Sequence, residues 1–178
     1  MVNELLKKRI GAAFIDLVTV GALCILVHMP WKILPFPAII SSMLSIMTLL
    51  FFGAIILLKD APYRFEGMGV VLEHQSPGKK AMRIAVTKSD GVNSIDVTAS
   101  ITRNLILALP YFWSAFIVFF HALPLPFPQL RWILISSFAL IGFFGMIGIL
   151  GFEIYNMYKD PDGLRMGDKK AGTRVVEL

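Results

Sequence analysis

Residues 38–58 read AIISSMLSIMTLLFFGAIILL and contain no charged side chain. A helix rises about 1.5 Å per residue, so roughly 20 apolar residues cross a hydrocarbon core of about 30 Å. This stretch has that length unaided. Working outward, residues 132–152 (WILISSFALIGFFGMIGILGF) and 105–120 (LILALPYFWSAFIVFF) are also free of charge, and residues 10–27 (IGAAFIDLVTVGALCILV) carry only Asp16. The first and third stretches are a little short and are expected to extend to His28 and Leu123. The chain is therefore expected to be an all-α membrane protein, a single domain over residues 1–178. Its four transmembrane helices are placed at about 10–28, 38–58, 105–123 and 132–152, with a loop at 59–104 and a tail at 153–178.

The whole chain agrees. Of its 178 residues, 56% are hydrophobic and 16% charged, with a mean hydropathy of +0.71. Soluble domains average about 45–50% apolar and about 25% charged, so a soluble enzyme, a disordered tail and a nucleic-acid module are all disfavoured. The single cysteine, Cys24, excludes an internal disulfide framework and a multi-cysteine zinc site. Lys7, Lys8 and Arg9 resemble the basic start of a signal peptide, but Asp16 interrupts the apolar run and no small-residue cleavage site follows; a retained helix is expected.

The net charge of +5 and the sequence pI of about 9.5 reflect where the 17 basic residues lie. Lys7, Lys8 and Arg9 precede the first span. Lys59, Arg64, Lys79, Lys80, Arg83, Lys88 and Arg103 lie between the second and third, and Lys159, Arg165, Lys169, Lys170 and Arg174 follow the fourth. Only Lys32 and Arg131 fall in the two short connectors. The positive-inside rule then puts both termini and the long loop in the cytoplasm. The basic surface fits anionic lipid headgroups there and gives no reason to expect nucleic acid.

The connectors HMPWKILPFP (28–37) and HALPLPFP (121–128) match, and GKKAMRIAV (78–86) parallels DKKAGTRVV (168–176). The chain is expected to contain two helical hairpins related as a parallel repeat, with the axis along the membrane normal. Asp16 has no acidic counterpart in the second half. Between the inner spans, the alternation around Met82, Ile84 and Val86 predicts a short strand-like piece, a turn at Asp90–Gly91, and a helix capped near Ser94 or Asp96.

Asp16 lies two turns beyond Arg9 on the same helical face, about 10 Å along the axis. An ionisable side chain at that depth is costly and should face the bundle and find a donor; Arg9 and Arg103 are the expected partners. Two readings stay open, a cation or proton site and an ion pair that fixes helix order. Ser136, Ala139, Gly142, Gly145, Gly148 and Gly151 give the fourth span a small-residue stripe suited to close helix contact. Ser76-Pro77-Gly78-Lys79 fits a nucleophile motif only formally, and is read as basic loop. No enzyme motif, cofactor site or metal site is expected.

These residues together resemble the RDD family of multi-pass bacterial membrane proteins. The resemblance rests on RIGAAFID (9–16), on Gly78-Lys79 with the Asp90-Gly91 turn and Arg103-Asn104-Leu105, and on GLRMGDKKAGTRVV (163–176). The residues that name the family would be Arg9, Asp16 and Asp168. Met166 stands where relatives often have tryptophan. The resemblance implies an inner-membrane protein associated with transport and, in some members, with sodium/proton exchange. Asp168 follows the last span by 16 residues, so only a folded-back tail brings it near the bundle. Arg9, Lys79, Arg103, Asp168 and Arg174 would then cluster at the inner mouth, as a gate or as a clamp. The expected function is a small, oligomeric ion or solute transporter. The alternative is a non-transporting anchor or accessory subunit that binds a partner or anionic lipid through its basic face.

Overall fold

The computed structural model describes residues 2–61, 63–65, 70–72, 76–89, 95–123 and 127–177. Four long helices dominate: α1 (Val2–Ile33), α2 (Ala38–Leu58), α4 (Val97–Ala122) and α5 (Pro128–Lys159). All four are long and apolar enough to cross a membrane. The second matches its expected bounds. The other three run further, because flanking polar residues continue the helix once its apolar part is in place. Short elements join and follow them: a hairpin of β1 (Tyr63–Phe65) and β2 (Val70–Leu72), then α3 (Pro77–Met82), β3 (Ile84–Lys88), α6 (Met166–Ala171) and β4 (Thr173–Glu177).

Local chemistry sets the helix ends. Pro37 and Phe127 precede α2 and α5, and Pro128 occupies the first turn of α5, where a missing N–H costs nothing. Asp96 caps α4 by accepting the Ala99 N–H at 2.7 Å, one of the two expected caps; Ser94 and the Asp90–Gly91 turn lie outside the described residues. Pro110 sits inside α4 without ending it, and its carbonyl is taken by the Ser114 hydroxyl at 2.7 Å.

The helices stand in the order α1, α2, α4, α5, with α2 against α4 as the broadest contact. Between them Phe52, Ile56, Ala108 and Tyr111 form a buried apolar layer, closed over by Val20, Cys24, Leu49 and Phe112. Much of the remaining apolar surface of the long helices faces outward, as a lipid solvent requires; Phe14 is 65% exposed and Phe144 likewise 65%.

The all-helical expectation needs a correction at one end of the bundle. There α3 packs on α1, α6 packs on α4, and the strands that leave these short helices pair with each other. The β3–β4 ladder is antiparallel, with Ile84 opposite Glu177, Val86 opposite Val175 and Lys88 opposite Thr173. Sequence periodicity suggested one isolated strand-like piece, because its partner lies at the far end of the chain. Ile84, Val86 and Val175 meet Ala12, Ile95 and Ala99 in a second apolar core beneath the helices. Both short helices end on a left-handed residue, Arg83 at φ 53° and Gly172 at φ 60°, which turns the chain straight into its strand.

Candidate functional site: a buried ion-pair layer

Three carboxylates converge where the bundle meets this small sheet. Asp16 projects from α1 and is 4% exposed. Its Oδ2 accepts the Ser76 hydroxyl at 2.6 Å and Lys59 Nζ at 3.0 Å, while Oδ1 accepts the Gly78 backbone N–H at 2.8 Å. Ser76 precedes α3 but makes no side-chain cap to it. Asp16 supplies that cap from another helix, taking up one of the free N–H groups at the start of α3. The approach is close enough that a Cβ on Gly78 would meet the Ala12 carbonyl oxygen at 2.1 Å.

Asp60, directly after α2, is fully buried. It pairs with Lys79 and accepts Asn104 Nδ2 at 2.9 Å, and its own N–H donates to Ser100 Oγ at 3.3 Å. Asp168, equally buried, is ringed by arginines: Arg9 Nη2 at 2.5 Å, Arg103 Nε at 2.8 Å and Arg165 Nε at 3.3 Å. It also accepts the Arg165 N–H at 3.4 Å as the capping carboxylate of α6. Arg9 reaches further to the Gly163 carbonyl, and Arg165 to Asn104 Oδ1 at 3.1 Å. Gly167 lets α6 sit directly on α4, where a Cβ would meet the Arg103 carbonyl oxygen at 2.4 Å.

The electrostatics follow from these distances. Burial alone would raise the Asp168 carboxyl, but Arg103, Arg165 and Arg9 overrule it and hold it at about 2. Burial pushes the Lys59 ammonium down to about 8, against the pull of Asp16. Asp168 is thus a permanent anion, the counter-charge that lets two arginines of the long helices lie buried.

Of the residues singled out in the sequence, Arg9, Arg103 and Asp168 meet directly, and Lys79 joins them through Asp60 and the neighbouring Arg103, whose Nη1 lies 3.6 Å from Asp60 Oδ2. Two expectations are corrected. Asp16 pairs with Lys59, Ser76 and Gly78, not with Arg9 or Arg103, because α3 folds up against α1 and claims the carboxylate. Arg174 stands outside the cluster: it is exposed on β4, opposite Thr87, since strand alternation sends Thr173 and Val175 inward instead. Ser76 and Lys79 sit at a helix start, not in a loop, yet they bind different carboxylates. Lys59, Asp60, Asn104 and Arg165 were not foreseen as site residues. The one available signal was Lys59-Asp60 directly behind a charge-free span, the position from which a side chain turns back under the bundle.

Of the four glycines in the small-residue stripe of α5, Gly142 lies against Trp113 of α4, while a Cβ at Gly145, Gly148 or Gly151 would meet nothing within 4 Å.

The family model described as RDD family matches residues 5–172. No curated protein and no solved structure gives a significant match.

Proposed function

The chain belongs to the RDD family, and from that premise we propose that it is a membrane-embedded accessory protein whose ion-paired inner end presents a rigid basic platform to a partner or to anionic lipid. One observation carries this reading over transport. Asp16 has all three of its donors on its own level, while the neighbouring layer of the bundle is the buried cluster of Phe52, Ile56, Ala108 and Tyr111, and the buried hydroxyls of Ser45 and Thr48 on α2 are turned onto carbonyls of their own helix. A carboxylate already served by three donors, one of them a helix-start N–H, is a structural cap more than a stop on a polar route.

The same proposal places the protein in the bacterial inner membrane with both termini cytoplasmic, on the strength of the basic residues gathered at one end. It also takes the chain as two parallel hairpins. The β3–β4 register supports this, since it is symmetric about Val86 and Val175, and so does the sequence helix, left-handed residue, strand that occurs in both halves at one constant offset. That offset aligns Gly78 with Gly167, one residue away from the alignment of the repeated segments.

One observation favours the transport reading. Lys59, lowered by burial to about 8, lies 3.0 Å from Asp16, an ammonium–carboxylate pair at which a proton and a sodium ion would compete, and an oligomer would give such a small bundle room for a pathway. Proteoliposomes under imposed sodium and proton gradients test both. The platform reading expects no flux from well-folded protein. Flux abolished by Asp16→Asn would overturn it in favour of exchange.

A further inference from the structure

The pseudo-symmetry of the two halves is broken at one place, and the break is a cleft. If the two-fold that runs through the β3–β4 ladder is extended to the long helices, it relates α1 to α4 and α2 to α5. The α1–α2 contact then has its match in α4–α5, and α3 on α1 has its match in α6 on α4. The broad contact of α2 with α4 should be matched by α5 with α1. Among the described residues no comparable contact exists. Instead α1 and α5 flank a cleft of about 180 Å³ that ends on the ion-pair layer.

The two ends of this cleft differ in chemistry. Its mouth is apolar and open: Ile10 and Ala13 on α1 face Leu150 and Ile154 on α5, and Ile10, Leu150 and Ile154 are 46%, 44% and 49% exposed. Its floor is cationic: Arg9, Lys59, Lys79, Arg103 and Arg165 line it, against two acidic residues, Asp16 and Glu153. Asp60 and Asp168 lie behind, and even with them the cations are in excess. Arg103 is 4% exposed, and its Nη1, which faces Asp60 Oδ2 at 3.6 Å, beyond hydrogen-bond length, has no closer acceptor among the described residues. A buried guanidinium N–H held only by a long ion pair has hydrogen-bonding capacity to spare, and a phosphate oxygen is its natural complement.

We propose that the α1–α5 cleft is a binding site for one anionic phospholipid, its phosphate on the Arg103 floor and an acyl chain between Ile10 and Ile154. This rests on the platform reading and names the lipid class for it. The occupant is a lipid, not free phosphate, because the mouth of the cleft lies between Ile10 and Ala13 of α1 and Leu150 and Ile154 of α5, apolar faces that a bilayer covers. Its headgroup lies in the leaflet on the side of the ion-pair layer.

The test uses the full chain, extracted into a mild detergent and examined by native mass spectrometry with added phosphatidylglycerol, phosphatidylcholine of the same chains, or glycerol phosphate. One phosphatidylglycerol is expected to stay bound per chain, with phosphatidylcholine about tenfold weaker and glycerol phosphate unable to displace it. Ala13→Trp and Ile154→Trp fill the mouth without touching a charged residue and are expected to weaken retention about tenfold. Phe14→Trp, on the outward face of α1, is expected to leave it unchanged. Equal retention of both lipids, displacement by glycerol phosphate, or equal behaviour of all three variants would overturn the site. Failure here with flux still absent leaves the platform reading standing; Asp16-dependent flux with the lipid still bound overturns that reading alone.

Discussion

Arg9 and Asp168 lie 2.5 Å apart through Arg9 Nη2 and Asp168 Oδ2, joining the first helix to the last short one across nearly the whole chain. Both side chains are buried, at 7% and 0% exposed, and Arg103 and Arg165 share the same carboxylate. Removal of the shared anion leaves buried guanidinium groups uncompensated, which is a far larger cost than the pair itself is worth.

Asp168→Asn is therefore expected to destabilise the protein by about 3–5 kcal/mol, the range for breaking a buried ion pair from one side. Thermal unfolding in detergent measures it. Arg174→Gln, at an exposed strand position, is expected to stay within about 0.5 kcal/mol. A gate instead of a clamp would show as unchanged stability in Asp168→Asn with altered flux.

Acid should reveal the same anion. Asp168 sits at about 2 in the folded protein, below its unfolded value of about 3.9. Its contribution, on the order of 2–3 kcal/mol, is complete above about pH 4 and is lost as pH falls through about 2. Stability measured between those values should fall steeply in the native protein, and the slope should flatten in Asp168→Asn.

Gly78 and Gly167 are expected to refuse even a methyl group. Each meets a backbone carbonyl, of Ala12 and of Arg103, that cannot rotate away. Gly78→Ala and Gly167→Ala should each cost on the order of 1–3 kcal/mol, as overpacking does. Gly145→Ala, with nothing within 4 Å, should be silent in the same thermal assay.

Arg83 holds the left-handed conformation that Gly172 holds in the second half, and its side chain is exposed. Arg83→Gly is expected to gain on the order of 0.5–1 kcal/mol, what remains of the left-handed penalty after glycine's greater chain entropy in the unfolded state. A loss of stability would mean that the guanidinium carries a contact that outweighs the strain.

The long helices were legible because membrane spans are local: composition alone marks residues 38–58, and the Asp96 cap is written three residues before the Ala99 N–H that it accepts. The folded-back tail was legible only as a need of Asp168 for partners. What stayed hidden was long-range. Nothing near Ile84 announces that its strand partner is Glu177, and nothing near Asp16 announces that Gly78 N–H will meet it before any arginine does. Arg174 was misplaced because its inward or outward sense depends on a strand register that one sequence does not contain.

The position of Asp168 in the chain has a consequence for biogenesis. Translation delivers α1, α2, α4 and α5 before the carboxylate that neutralises Arg9 and Arg103 exists. Until α6 emerges and swings back onto α4, two arginines wait at the ends of otherwise apolar helices without their shared anion. A chain that stops short of residue 168 therefore holds four long apolar helices and two arginines that lack the carboxylate they share in the folded protein.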